Sequence, residues 1–128
     1  MACDLVLANS YPFWEGCLIE RYPYWEGCHI DYSLLYMNEM FNGAKRAANR
    51  KTVVISETGW PSQGTNFGAS MPSDENFTKY FINTQKWSAE DGIEVFYFSS
   101  FDESWKVGAE GDVGAYWGIW DKDEKMKY

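Results

Sequence analysis

Histidine and cysteine are scarce in this sequence. His29 is the only histidine, and the cysteines are Cys3, Cys17 and Cys28. Cys28-His29 has no second ligand cluster to complete a coordination site, so no metal and no cofactor are expected, and His29 reads as a surface residue. An odd cysteine count without paired spacing argues against a disulfide scaffold and leaves room for one bridge, Cys17 to Cys28. Basic residues are few as well: 11 against 19 acidic, for a net charge of −8. The one basic cluster, Lys45-Arg46 with Arg50-Lys51, lies on a helix-like stretch and its exit. Without a phosphate-tracking stripe, no nucleic-acid partner is expected. No apolar run reaches the roughly 20 residues of a membrane span, so no membrane partner is expected either. Met1-Ala2-Cys3-Asp4 puts an acid where a secretory leader carries basic residues, so no signal peptide is expected. A mature secreted piece lacks one too, and localisation is unknown.

Aromatic residues, by contrast, are abundant: 7 Trp, 9 Tyr and 8 Phe in 128 residues. That length is one domain or part of one. The rings have two readings, a large aromatic core or sugar binding, in which ring faces cover the apolar faces of pyranoses. Many stand beside Pro, Gly or Glu, which favours sugar binding for some of them.

Leu5-Val6-Leu7-Ala8 reads as a first strand, ending at Asn9-Ser10-Tyr11-Pro12. Tyr11 to Glu20 and Tyr22 to Asp31 are then near copies with a period of eleven, too few for a solenoid. They are read as a local duplication in the loop leaving the first strand. From Asp31 to Asn49, Leu34, Leu35, Met37, Met40, Phe41, Ala44 and Ala48 recur at helical spacing, with Asp31 or Ser33 as cap. Thr52 to Ile55 is a buried β-branched strand, followed by Ser56-Glu57-Thr58, a Gly59 that permits an unusual turn, and Pro61. Residues 63–72 form a loop. Ser73-Asp74-Glu75-Asn76 opens a second helix running to about Glu90, with Phe77, Tyr80, Phe81, Thr84, Trp87 and Ser88 on one face and Asp91-Gly92 as its exit. A third strand covers Ile93 to Phe98. In parallel α/β architectures function gathers at strand C-terminal ends. Both a barrel portion and a small open sheet fit the order.

Carboxylates gather at those ends. Glu57, Asp102, Glu103 and Glu110 can share one cleft with Glu15 or Glu26, and glycosidic cleavage uses a protonated and an ionised carboxyl together. Lys106, near Glu103 and Glu110, reads either as a charge partner in that cleft or as half of a solvated surface pair.

Ser56-Glu57-Thr58-Gly59-Trp60-Pro61-Ser62 resembles the signature of glycoside hydrolase family 17, the β-1,3-glucanases and related glucan-modifying enzymes. Asn9-Ser10-Tyr11-Pro12-Phe13 resembles the family's sixth strand end. Phe101-Asp102-Glu103-Ser104-Trp105-Lys106, with Glu110 and Trp117-Gly118-Ile119, resembles its eighth strand and following loop. The resemblance implies a (β/α)8 TIM barrel, a retaining reaction through a covalent glycosyl-enzyme, and a β-1,3-glucan or laminarin-type substrate. Glu57 matches the nucleophile. Trp60 matches an aromatic near the donor-side sugar, Asn9 and Tyr11 fall at the cleft, and Glu103, Lys106 and Glu110 match a supporting charged group. Phe13 and Trp14 are candidate sugar platforms.

The family's general acid, a glutamate after an asparagine at the fourth strand end, has no counterpart. Asn38-Glu39 has the letters but lies inside a helix. The fold expected is therefore α/β, the C-terminal portion of the barrel (about the last three βα units, strands 6–8), with residues 1–128 a partial catalytic domain lacking the first five strands. Its open edges and uncovered strand faces favour self-association. Two other readings stand beside it: an enzyme completed by another chain or by Glu15 or Glu26 as substitute acid, and a carbohydrate-binding module using Tyr11, Trp14, Trp25 and Trp60 without catalysis.

Overall fold

Two helices cover one face of a three-stranded parallel sheet in the computed structural model, which describes residues 3–15 and 27–128. The elements alternate as β1 (Leu5–Asn9), α1 (Ile30–Ala47), β2 (Thr52–Thr58), α2 (Asp74–Asp91) and β3 (Val95–Tyr97), and the strands lie in the order β1-β2-β3. Short 3-10 turns at Ser104–Lys106 and Asp112–Ala115 follow. The expected α/β class and the order of elements are those of the structure.

Helical spacing places Ile30, Met37 and Phe41 in the core, with Leu34 and Ala44 packed beside them. The cap differs from expectation. His29 is extended and its Nδ1 accepts the Asp31 N–H at 3.2 Å. Because the helix starts at Ile30, Asp31 falls inside the first turn, where a carboxylate suits the positive helix end. It pairs with Lys79 of α2 at 2.5 Å, tying the two helices together. Helix α2 opens as the sequence indicates: Ser73 Oγ accepts the Asn76 N–H at 3.0 Å, and Gly92 closes the helix at φ 63°. Nothing lies within 4 Å of a Cβ placed on Gly92, so the left-handed backbone rather than space selects glycine there. Phe77, Tyr80, Thr84 and Trp87 are its buried residues.

Strand alternation sorts the sheet's two faces. Val53 and Ile55 join the helices in the core, with Val6, Ala8, Val95 and Tyr97 packed against it. Leu5, Leu7 and Phe96 point the other way and are 46%, 62% and 65% exposed. This apolar face is open at the two edge strands, while Val54 on the central strand is 4% exposed.

Strand β2 runs three residues further than its apolar run, and it carries a bulge. Ala8 pairs with Ile55 but Asn9 with Glu57, so β2 spends one residue more than β1. On the other side Ile55 pairs with Val95 and Thr58 with Tyr97, again one extra residue on β2. An extra residue exchanges the faces of everything after it. Thr58 therefore points back into the helix side, where its Oγ1 meets the Tyr80 hydroxyl at 2.6 Å, and Glu57 is exposed at the strand end.

The segment after β3 is locked by a buried ion pair. Lys127 Nζ contacts Asp102 Oδ1 at 2.6 Å and Ser62 Oγ at 2.9 Å, and lies over the Phe77 ring. Asp102 Oδ1 also accepts the Gly118 N–H. Asp102 is thus absent from the carboxylate cleft that its neighbourhood in sequence suggested. Cys28 is buried and disulfide-bonded and Cys3 is free and exposed. Cys17, like Trp25 and Glu26, lies outside the described residues. The two repeat copies serve different ends: the described part of the first, 11–15, follows β1, and that of the second, 27–31, begins α1.

Candidate active site

The bulge delivers Glu57 to a cleft of about 310 Å3 at the C-terminal ends of the strands, lined by Tyr11, Trp14, Glu57, Phe98, Lys106, Glu110 and Trp117. Each comes from a segment that leaves a strand. Tyr11 and Trp14 follow β1, Glu57 ends β2, Phe98 follows β3, and Lys106, Glu110 and Trp117 come from the segment beyond. The Tyr11 hydroxyl donates to Glu57 Oε2 at 2.8 Å. Burial first, and the Glu57 carboxylate second, push the Tyr11 phenol far above its ordinary range, so it stays a donor at any physiological pH.

Lys106 reaches the cleft from the first 3-10 turn. Its Nζ is 2.6 Å from Glu103 Oε2 and 4.6 Å from the centre of the Phe98 ring. Glu103 holds the ammonium without itself lining the cleft. Asn9 is also set back: its Oδ1 accepts from Ser56 Oγ at 2.6 Å, across the bulge. Of the nine residues singled out by sequence, Glu57, Tyr11, Trp14, Lys106 and Glu110 come together in one cavity, with Glu103 and Asn9 behind them.

Phe13 and Trp60 are corrections. Both are 0% exposed and cannot present a ring face to a sugar. Phe13 sits edge-on to Trp14, Trp60 and Trp117, with ring centres 4.8, 5.3 and 5.7 Å apart. Trp60 also stacks toward Tyr80, and its indole N–H donates to the Met71 carbonyl at 3.0 Å. They form the aromatic floor beneath the cleft, where edge-to-face pairs add about 0.5–1.5 kcal/mol each beyond burial. Gly59 is corrected in its reason. Its φ is not positive; a Cβ there would lie 2.1 Å from the Phe98 carbonyl oxygen, so glycine permits close approach of β2 and the segment after β3.

Glu15 acts on Tyr36 of α1: burial first, and the Glu15 carboxylate second, raise that phenol to about 12. Asn38, in α1, accepts from the Trp87 indole at 3.3 Å and Glu39 is exposed on the helix, so neither is near the cleft. Phe98 and Trp117 were not singled out as site residues; the position of Phe98 directly after a strand was the available signal. Among the described residues, no group of three or more His, Cys, Asp or Glu is arranged to hold a metal. The cleft therefore brings together a carboxylate held by a phenol, a second carboxylate, an ammonium and two indoles.

Residues 1–118 match the BtgE/BtgC glycoside hydrolase domain. The chain is 30% identical to the glucan 1,3-β-glucosidase of Saccharomyces cerevisiae over 99% of its own length and 40% of that protein's. Its fold is similar to the family 17 β-1,3-glucanosyltransferase from Rhizomucor miehei, with a TM-score of 0.82 and 32% identity, covering 96% of this chain and 41% of that one. An active-site mutant of that enzyme has been solved in complex with laminaritriose. CJP38, a β-1,3-glucanase and allergen of Cryptomeria japonica pollen, is similar at a TM-score of 0.71 and 25% identity, over 95% of this chain and 43% of its own. The chain spans about two-fifths of the length of these relatives. By its match over residues 1–118 and by these similarities, the chain belongs to the BtgE/BtgC glycoside hydrolase domains of glycoside hydrolase family 17.

Proposed function

We propose that this chain carries the nucleophile half of a retaining β-1,3-glucan hydrolase or transferase, with Glu57 as nucleophile. In this reading residues 1–128 are strands six to eight of a (β/α)8 barrel, a partial catalytic domain whose first five strands lie elsewhere. The observation that carries it is the Glu57 carboxylate at the end of β2, held by the Tyr11 hydroxyl at 2.8 Å and facing a cleft with Lys106, Glu110, Trp14 and Trp117. Glu57 attacks the anomeric carbon and forms a glycosyl ester as the leaving oxygen departs. Tyr11 orients the attacking oxygen, and Lys106, steadied by Glu103, balances charge beside it. The family's general acid, a glutamate after an asparagine at a strand end, has no counterpart among the described residues, so in this reading cleavage of an ordinary glucan is slowed by orders of magnitude. The open sheet face of Leu5, Leu7 and Phe96, with the β1 and β3 edges, supports self-association of the chain.

Two assays test this on the folded chain. Release of reducing sugar from laminarin is expected to be absent from both the chain and its Glu57→Gln variant. A 2-fluoro β-glucoside with a dinitrophenolate leaving group needs no acid, and it is expected to label the chain at Glu57, read by peptide mass. Laminarin turnover that Glu57→Gln abolishes would overturn the half-site reading; labelling at another residue would overturn Glu57 as nucleophile.

A further inference from the structure

Asn76-Phe77-Thr78, at the start of α2, is the chain's one Asn-X-Ser/Thr triplet, and we propose that Asn76 is a site of N-linked glycosylation. The fold supports more than the three letters. Cys28 is disulfide-bonded, and such bonds form and persist in oxidising compartments. The lumen in which eukaryotic cells transfer oligosaccharides to asparagine is one of them.

The triplet stands at the surface. Asp74, Glu75 and Lys79 are exposed, Asn76 and Thr78 are half-buried, and within the triplet only Phe77 turns into the core. Met71, whose carbonyl Asn76 touches, is itself exposed, which leaves room for a bulky group beside the amide. Helix α2 covers the side of the sheet opposite Leu5, Leu7 and Phe96, and Asn76 is not among the residues lining the Glu57 cleft. A glycan on Asn76 therefore obstructs neither the open sheet face nor the cleft.

The local hydrogen bonds also survive the modification. The Asn76 backbone N–H donates to Ser73 Oγ at 3.0 Å, which caps the helix, and Nδ2 donates to the Met71 carbonyl at 2.9 Å. A side-chain amide carries two N–H groups. Glycosylation replaces one, and the other still serves the Met71 carbonyl, which accepts the Trp60 indole N–H at 3.0 Å as well. The helix cap and the corner at Trp60 keep their partners.

The donor is an oligosaccharide linked to a polyprenyl diphosphate. Asn76 Nδ2 forms a bond to the anomeric carbon of its first sugar as the bond from that carbon to the diphosphate oxygen breaks. The lipid diphosphate leaves with the bonding pair, and one Nδ2 proton passes to a base of the transferase. Transfer precedes formation of α2. Two residues apart on a helix, Asn76 and Thr78 do not face each other, whereas an Asx turn in the unfolded chain brings the asparagine side chain onto the backbone at Thr78.

Cell-free translation of the full chain behind a secretory leader, with endoplasmic-reticulum microsomes, tests the site on the protease-protected product. The protected chain is expected to gain the mass of one core glycan and to lose it to peptide N-glycosidase. That enzyme leaves the Asn76 amide as an acid, read by mass on the tryptic peptide ending at Lys79. Asn76→Gln and Thr78→Ala are each expected to abolish the gain, and Thr78→Ser to keep it. The glycan is added to the nascent chain, so a variant that fails to fold is read as well as one that folds. A protected parent of unmodified mass overturns the site, and so does a Thr78→Ala chain that keeps the glycan.

Discussion

Lys127 Nζ lies 2.6 Å from Asp102 Oδ1, with both side chains less than a tenth exposed. The pair links residues far apart in sequence and sits under Ser62, immediately after the Trp60-Pro61 corner. Removing one member leaves the other charge buried without its partner, which typically costs about 3–5 kcal/mol. Lys127→Met is expected to lose about that much in denaturant unfolding. Combined with Asp102→Asn the loss should be smaller than the sum of the single changes, and strict additivity would show that the pair is not coupled.

Trp60 and Trp14 are expected to separate stability from binding. Trp60→Ala opens a cavity under the cleft and strips a donor from Met71, with an expected loss of about 3–5 kcal/mol. Trp14 is half-buried and lines the cleft. Trp14→Ala should lower laminaritriose affinity several-fold with a smaller shift in the unfolding midpoint than Trp60→Ala. Parallel melts and calorimetry on the two variants check this, and the reverse order would return Trp60 to a sugar-facing role.

Asp112 accepts the Thr65 N–H at 2.9 Å and the Thr65 hydroxyl at 2.8 Å, and this contact has a pH signature. The Thr65 backbone N–H, then its hydroxyl, hold the Asp112 carboxyl below its ordinary value of 3.8. A folded-state pKa below the unfolded one adds stability above the unfolded pKa, and that stability is lost as pH falls through the folded one. The parent should therefore be more stable than Asp112→Asn at neutral pH, and the difference should shrink as pH drops below 3.8. Thermal melts of both from neutral to strongly acidic pH read it; a difference that stays constant would mean the carboxylate is not the group involved.

On the open sheet face, Leu7→Lys with Phe96→Lys places charge where two exposed apolar side chains stand. Size exclusion coupled to light scattering is expected to show the parent associating with rising concentration and the double variant shifted toward monomer. Equal association in both would place the contact elsewhere.

The helices were legible because their signals are local. Apolar steps of three and four mark α1, and Ser73 and Gly92 bracket α2 at its actual ends. The α1 cap falls two residues before Asp31 and four before Ser33, because the His29 imidazole nitrogen does the capping that a carboxylate or hydroxyl usually does. In the site, Glu57, Tyr11, Trp14, Lys106 and Glu110 were legible as polar and aromatic groups at strand exits. Phe13 and Trp60 were not: an aromatic beside proline or glycine looks the same in sequence whether it caps a cleft or floors it, and only packing against Trp117 and Tyr80 decides. Asp102 was misplaced for the same reason, its partner Lys127 being 25 residues away.

The extra residue in β2 has a consequence for how this strand tolerates change. Up to Ile55, odd-numbered positions belong to the core; beyond it, Thr58 does. Straightening the bulge with every residue kept would restore a single count along the strand and turn the Glu57 carboxylate to the side of Met37 and Tyr80, among the helices. Identity at Val53, Val54 or Ile55 can drift within apolar choices, because volume is all those positions answer for. The bulge between Ile55 and Thr58 has no such latitude: the strand can be respelled, but it cannot be straightened.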